Sequence, residues 1–210
     1  MTSPDPISGA LIKGGIEQGV SAAKGLLEKL CGPAFEELGS LLQDRARVYR
    51  LKNQLRMLGK VQAMLQEAGT DVHAVPLRAL LPLLEGAALE DDEGLSDKWA
   101  GLLASAASSG EGESTHPSFP RILSEITPQE AIILDRLYQA GASVSWNVFR
   151  EEIAKEFGTS VEAINQAYGN LFRLGVCRIY RGPLGSLIEL APFGRFFLTA
   201  AYGPVQRGTE

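Results

Sequence analysis

The sequence predicts a mainly α-helical protein: an N-terminal helical bundle, then a winged-helix-like α+β domain with a short two-stranded wing. Three observations predict it. Apolar residues recur at helical spacing through much of residues 8–109. From Thr127 onward, capping residues and glycines punctuate three shorter helices. Two apolar stretches, "VCRIY" and "SLIEL", then follow, joined by "RGPLG", and read as a hairpin. Residues 1–7 and 204–210 read as flexible ends, 110–117 as a polar linker, and 118–203 as the second domain.

Ser8 is placed to cap a first helix in which Leu11, Ile12, Ile16, Val20, Ala23, Leu27 and Leu30 share a face. Gly32 ends it and Pro33 suits the first turn of the next. That helix runs to about Leu65 and breaks at Gly69-Thr70-Asp71. Pro76 starts "PLRALLPLLEGAAL", which is expected to kink or restart at Pro82. The first helix is dense in glycine, and each interior glycine costs about 1 kcal/mol of helix stability. Close packing in a bundle offsets that cost; so does a change of conformation on meeting a membrane or partner. In the second helix, Arg45, Lys52, Arg56 and Lys60 form a basic stripe beside the apolar face. The stripe suits phosphates or anionic lipid heads, but in an acidic chain it is expected to be solvated or to face the protein's own acids.

Those acids are concentrated in Glu90-Asp91-Asp92-Glu93. Asp91 or Asp92 is placed to cap a helix with apolar positions Leu95, Trp99, Leu102, Leu103 and Ala106, and acids before a first turn favour the helix's positive end. A calcium loop would need the pattern D-x-[DN]-x-[DN]-G-x₅-E, which does not occur. Helix initiation is the expected role.

This stretch also carries a resemblance. "LPLLEGAALEDDEGLSDKWAGLLASA", followed by "HPSFPRILSEITPQEAIILDRL", resembles the core of the Abi-alpha family, the bacterial abortive-infection alpha proteins. The matching features are the Leu-Pro-Leu-Leu-Glu helix, the Leu-Glu-Asp-Asp-Glu junction, Trp99-Ala100, His116-Pro117-Ser118-Phe119 and a Thr-Pro helix start. "CGPAFEELGSLLQDRARVYRLKN" is similar in layout, whereas the linker "SSGEGEST" departs from the family. The likeness spans roughly residues 30–200 in layout and is specific in 80–140. It implies antiphage defence in which an infected cell stops growing or dies before phage matures. It implies no catalytic residues. Trp99, His116, Pro117 and Phe119 belong to the motif and are expected to be structural, His116 fixing a turn.

In the C-terminal third, Thr127-Pro128-Gln129-Glu130 is a capping box with proline at the first helical position. Ile133, Leu134, Leu137 and Tyr138 form the buried face, and Gly141 ends that helix. A second helix spans Trp146 to Phe157 before Gly158, and Thr159 and Glu162 suggest another capping box for a third. "PFGRFFLTAAY" forms a last helix. The third helix would present Asn165, Gln166, Asn170 and Arg173, with Arg178 and Arg181 near the wing, as candidate contacts to nucleic acid or a partner. From 124 to 210 the chain has eight Lys or Arg against nine Asp or Glu, which disfavours DNA and favours protein recognition or plain structural use.

Composition narrows the remaining classes. The chain has 210 residues, is 45% hydrophobic and 21% charged, and so suits a globular protein with a real core. Its net charge of -5 disfavours general nucleic-acid binding. Two distant cysteines, Cys31 and Cys177, make no disulfide framework and suit a reducing cytoplasm. No uncharged apolar run reaches the roughly 18 residues of a membrane span. Phosphate-loop, dinucleotide, zinc-protease and serine-hydrolase motifs do not occur. The reading is therefore a cytoplasmic, non-enzymatic sensor or effector of abortive infection, without catalytic, metal or cofactor residues. Its expected partners are a phage or host protein trigger, a second copy of itself, or a membrane surface met peripherally on activation. The alternatives are a winged-helix transcription regulator and a scaffolding bundle.

Overall fold

The apolar periodicity of residues 46–108 becomes three helices: α1 (Ala46–Ala68), α2 (Leu77–Ala88) and α3 (Glu93–Ser108). The computed structural model describes residues 25, 26, 29, 46–108, 116–183 and 185–204. The expected glycine-rich helix therefore lies outside the described residues except at positions 25, 26 and 29, which are helical, with Leu26 buried. Arg45, most of the expected linker and the two chain ends also lie outside them.

α1 packs its Met57, Leu58, Val61 and Leu65 side on α2 and α3. It continues to Ala68, past the expected end, and stops at Gly69, whose φ of 61° suits a residue without Cβ. α2 neither breaks nor restarts at Pro82. Pro82 is on its exposed side, so the carbonyl that loses an amide donor can turn to water. The inward face, Leu80, Leu83, Leu84 and Ala87, stays continuous.

α3 is buried all round from Trp99 to Ala107, as only a central helix can be. Its small residues allow close neighbours. A Cβ on Gly86 of α2 would overlap the Trp99 ring, and one on Gly101 would overlap the backbone carbonyl of Ala201. Beside that contact, the Ser105 hydroxyl donates to the Ala200 carbonyl at 2.8 Å.

A short helix not anticipated from the sequence, α4 (Phe119–Glu125), follows His116. α5 (Pro128–Ala140) starts with the expected capping box: the Glu130 amide donates to Thr127 Oγ1 at 3.2 Å, and the Thr127 amide donates to the Glu130 carboxylate at 2.7 Å. The next elements are β1 (Val144–Ser145), α6 (Trp146–Phe157) and α7 (Val161–Arg173). The cap of α7 differs from expectation. Ser160, not Thr159, accepts from the Ala163 amide at 3.2 Å, which moves Glu162 out of the reciprocal position.

β2 (Cys177–Gly182) and β3 (Gly185–Leu190) form the expected hairpin, and α8 (Pro192–Ala201) closes the fold. The wing was expected to have two strands, but the sheet has three. It is antiparallel in the order β1-β3-β2, with Val144 opposite Ile188 and Ile179 opposite Ile188 from the other side. The described chain is thus mainly helical with one small sheet. Its buried apolar side chains form a continuous cluster from Leu26 through α3 to Ala201.

A tight glycine and an open one predict opposite effects from one substitution. Gly101→Ala must push a backbone carbonyl and lowers stability by about 2 kcal/mol, a fall in thermal midpoint of roughly 4–8 °C. Gly59→Ala, where the added methyl meets nothing within 4 Å, raises stability by up to about 1 kcal/mol. Urea or thermal unfolding of the two variants checks the contrast.

Candidate functional site

The acidic stretch and the basic stripe meet each other. Asp92 Oδ1 accepts from the Leu95 amide at 2.9 Å and caps α3, while Glu90 accepts from the Asp92 amide at 2.9 Å. Glu93 pairs with Lys60 at 2.6 Å and Arg56 at 3.2 Å, and Lys60 also reaches Asp97 at 2.6 Å. The hydrogen bond from Lys60, above all, holds the Glu93 carboxyl below its ordinary range. The same face of α1 closes the α2–α3 corner. Buried Asn53 donates to the Ala88 carbonyl and to Asp91, Gln54 to the Leu84 carbonyl, and Arg56 to the Glu90 carbonyl. Of the stripe, Arg56 and Lys60 therefore serve the corner, and Lys52 is exposed. Among the described residues, no group of three or more His, Cys, Asp or Glu is placed to hold a metal.

The candidate contacts on α7 and the hairpin divide in two. Asn170 and Arg173 are engaged at the α4–α5 junction, Arg173 from an exposed position. The Asn170 amide donates to the Glu125 carbonyl and to Glu130, each at 3.0 Å, and Arg173 donates to Glu125 at 2.6 Å. Glu125 also pairs with Arg121, whose hydrogen bond does most to lower its pKa. Arg178 is engaged by Glu189, directly across the hairpin, at 2.6 Å. Asn165, Gln166 and Arg181 are exposed. So are two apolar side chains that sequence reasoning did not single out, Phe172 at 58% and Tyr180 at 40%. Phe172 continues an aromatic row, Trp146–Tyr168–Phe172, with ring centroids 5.1 and 5.9 Å apart. Burial raises the Tyr168 pKa, and the Ile179 backbone on the edge strand β2 partly offsets that. Nearby Cys177 is buried, and burial pushes its thiol up to about 12, far from a reactive thiolate.

The motif residues are held by packing. Trp99 is buried against Gly86. His116 accepts from the Ser118 amide through Nδ1 at 3.2 Å, and its carbonyl accepts from the Phe119 amide. Its ring contacts Phe119 and Phe193, and Phe119 anchors an aromatic cluster with Phe196 and Phe197. Pro117 lies exposed in this turn.

A polar cluster escaped the sequence. Lys98, 7% exposed, grips both oxygens of Asp135 at 2.7 and 2.8 Å. Tyr202 donates to Asp135 at 2.7 Å, and its ring lies 4.9 Å from the Lys98 ammonium. Burial and then the bond to Asp135 raise the Tyr202 pKa. The cluster ties α3 to α5 and to the end of α8. Its one legible signal was a lysine inside an otherwise apolar helix. Elsewhere, a cavity of about 340 Å³ beside the end of α1 is lined in part by Lys29, Gln62, Gln66 and Thr70.

With this geometry in hand, comparison with known proteins is specific on one point. The family described as abortive infection alpha matches residues 46–187, about two thirds of the chain. No curated protein and no solved structure matches it.

The Lys98 cluster makes an asymmetric prediction. Lys98→Met leaves Asp135 without its cation and costs about 3 kcal/mol, whereas Lys98→Met with Asp135→Leu recovers most of that loss. Equilibrium unfolding of the single and double variants measures both.

Proposed function

The chain belongs to the abortive infection alpha family, and from that premise we propose that it serves bacterial antiphage defence as a non-enzymatic sensor or effector. The family name carries the defence role. One observation carries the recognition role: Arg173 and Arg178 are engaged by Glu125 and Glu189, while α7 and the hairpin keep Asn165, Gln166, Phe172, Tyr180 and Arg181 exposed. That face is suited to a macromolecular signal. The order α5-β1-α6-α7-β2-β3, with a hairpin following the third helix, supports reading this part as a winged helix. No helix among the described residues is long and apolar enough to cross a membrane. A cytoplasmic protein that meets membranes peripherally through residues 8–32 fits the sequence pattern there.

DNA binding is the second reading, favoured by the exposed, adjacent Asn165 and Gln166 on α7 and by exposed Arg181 on the hairpin. Weighing against it, Glu125 and Glu189 neutralise Arg173 and Arg178, and Glu162 stands at the start of α7.

A phage challenge tests the proposal. Cells expressing the protein are infected with a diverse panel at low and high dose. The expected result is fewer plaques with culture collapse at high dose, and loss of both with Asn165→Ala/Gln166→Ala at unchanged protein level. Absence of protection across the panel contradicts the defence role. Salt-dependent binding of the purified protein to duplex DNA, weakened by Arg181→Ala, would replace it with the second reading.

A further inference from the structure

We propose that the cavity beside the end of α1 is a binding site for a small organic acid, a single carboxylate carrying a short apolar group. It uses none of the residues of the α7 face and stands independently of the function proposed above. Three stretches of chain meet there: the helical positions Gly25 and Lys29, the last two turns of α1 with Gln62 and Gln66, and the connection that follows with Thr70 and Val72. A space of about 340 Å³ between separate segments is at the small end of ligand sites.

The first observation is unused polarity. Earlier on α1, Asn53, Gln54, Arg56 and Lys60 are each bonded to α2, α3 or the corner between them. The side chains of Gln62 and Gln66, one turn apart on the same helix, bond to nothing among the described residues, and neither does Lys29. Exposed Lys29 and Gln66 are met by water, but the Thr70 hydroxyl is closed to solvent and has no partner. A buried hydroxyl left unsatisfied is rare and costly in a native fold. Thr70 lines the cavity, and a staggered rotation about Cα–Cβ redirects its hydroxyl, a change that a ligand oxygen would reward.

The second observation is the apolar part of the lining. Leu26 and Leu65, 7% and 3% exposed, belong to the core, and Val72 packs against that core. The cavity thus has both parts of a small-molecule site, an apolar lining and a few polar groups that fix orientation. Charge selects the class. Lys29 carries the one charge of the described lining and matches a monoanion, whereas a phosphate, with nearly two charges, would call for a second cation. The glutamine amides and the threonine hydroxyl are able to donate to the two carboxylate oxygens. A bound acid ties positions 25, 26 and 29 to α1 and to the connection after it, so occupancy stabilises their docking.

Nuclear magnetic resonance titration of the full chain with octanoate tests this, with octanol and acetate as controls that lack the charge or the chain. The expected result is saturable shifts at Gln62, Gln66, Thr70 and Val72, with octanoate about tenfold tighter than either control. Lys29→Gln weakens octanoate by about tenfold and leaves octanol unchanged. Thr70→Val keeps or raises the thermal midpoint of the free protein, because it removes the unpartnered hydroxyl, and still weakens octanoate. That combination separates a ligand contact from a merely structural role; circular dichroism checks the fold of each variant. Shifts that do not saturate overturn the site, as does octanoate binding indifferent to both Lys29→Gln and Thr70→Val. Octanol binding as tightly as octanoate overturns the assignment to an acid.

Discussion

Helix α3 has almost no solvent face after its first turn, and the other elements are arranged to satisfy it. Burying a helix on all sides requires small residues where neighbours cross, and Gly101, Ala104 and Ala107 supply them. It requires a shaped space for the one large side chain, which Gly86 opens for Trp99. It requires a partner for the one buried charge, and Asp135 with Tyr202 provides it. It also requires that the acids at its start be neutralised or capped, because an unpaired charge at a packed corner is costly. α1 does this with Asn53, Arg56 and Lys60. α8 then docks through Ser105 and the glycine crossing, bringing the sheet-bearing part onto the same core.

This arrangement explains why the sequence's most suggestive chemistry is not a site. The acids Glu90–Glu93 and two of the cations, Arg56 and Lys60, are two sides of one corner. Asn170 and Arg173, which look like a reading surface on a helical wheel, are drawn to the α4–α5 junction by Glu125 and Glu130. The proposed recognition face is smaller and less charged: a helix face with two amides and an aromatic ring, and a hairpin on which Arg181 has no ion pair among the described residues. Such a surface suits a protein partner better than a polyanion.

The readily legible features were local ones. Periodicity placed α1, α2 and α3; proline, threonine and glycine chemistry placed α5, α6 and the hairpin; the acids before Leu95 announced a cap. Features decided by distant residues were not legible. β1 is two residues long and exists only because β3 offers it an edge. α4 is seven residues and is fixed by its aromatic contacts with α8 more than by periodicity. Pro82 looked like a breaker because its exposure was unknown. The partner of Lys98 lies 37 residues away on a different helix, and that of Asn170 lies 40 away. No spacing rule connects them. Phe172 became noticeable only once its exposure on α7 was known.

If α3 is the shared support, its amides should be the last to open. Native-state hydrogen exchange of the full chain, read beside denaturant unfolding, measures this directly. The account predicts one cooperative transition, with the amides of residues 100–107 exchanging at the global unfolding free energy. Exchange of those amides at a markedly lower free energy, or separate unfolding of the sheet-bearing part while α3 stays protected, would contradict it.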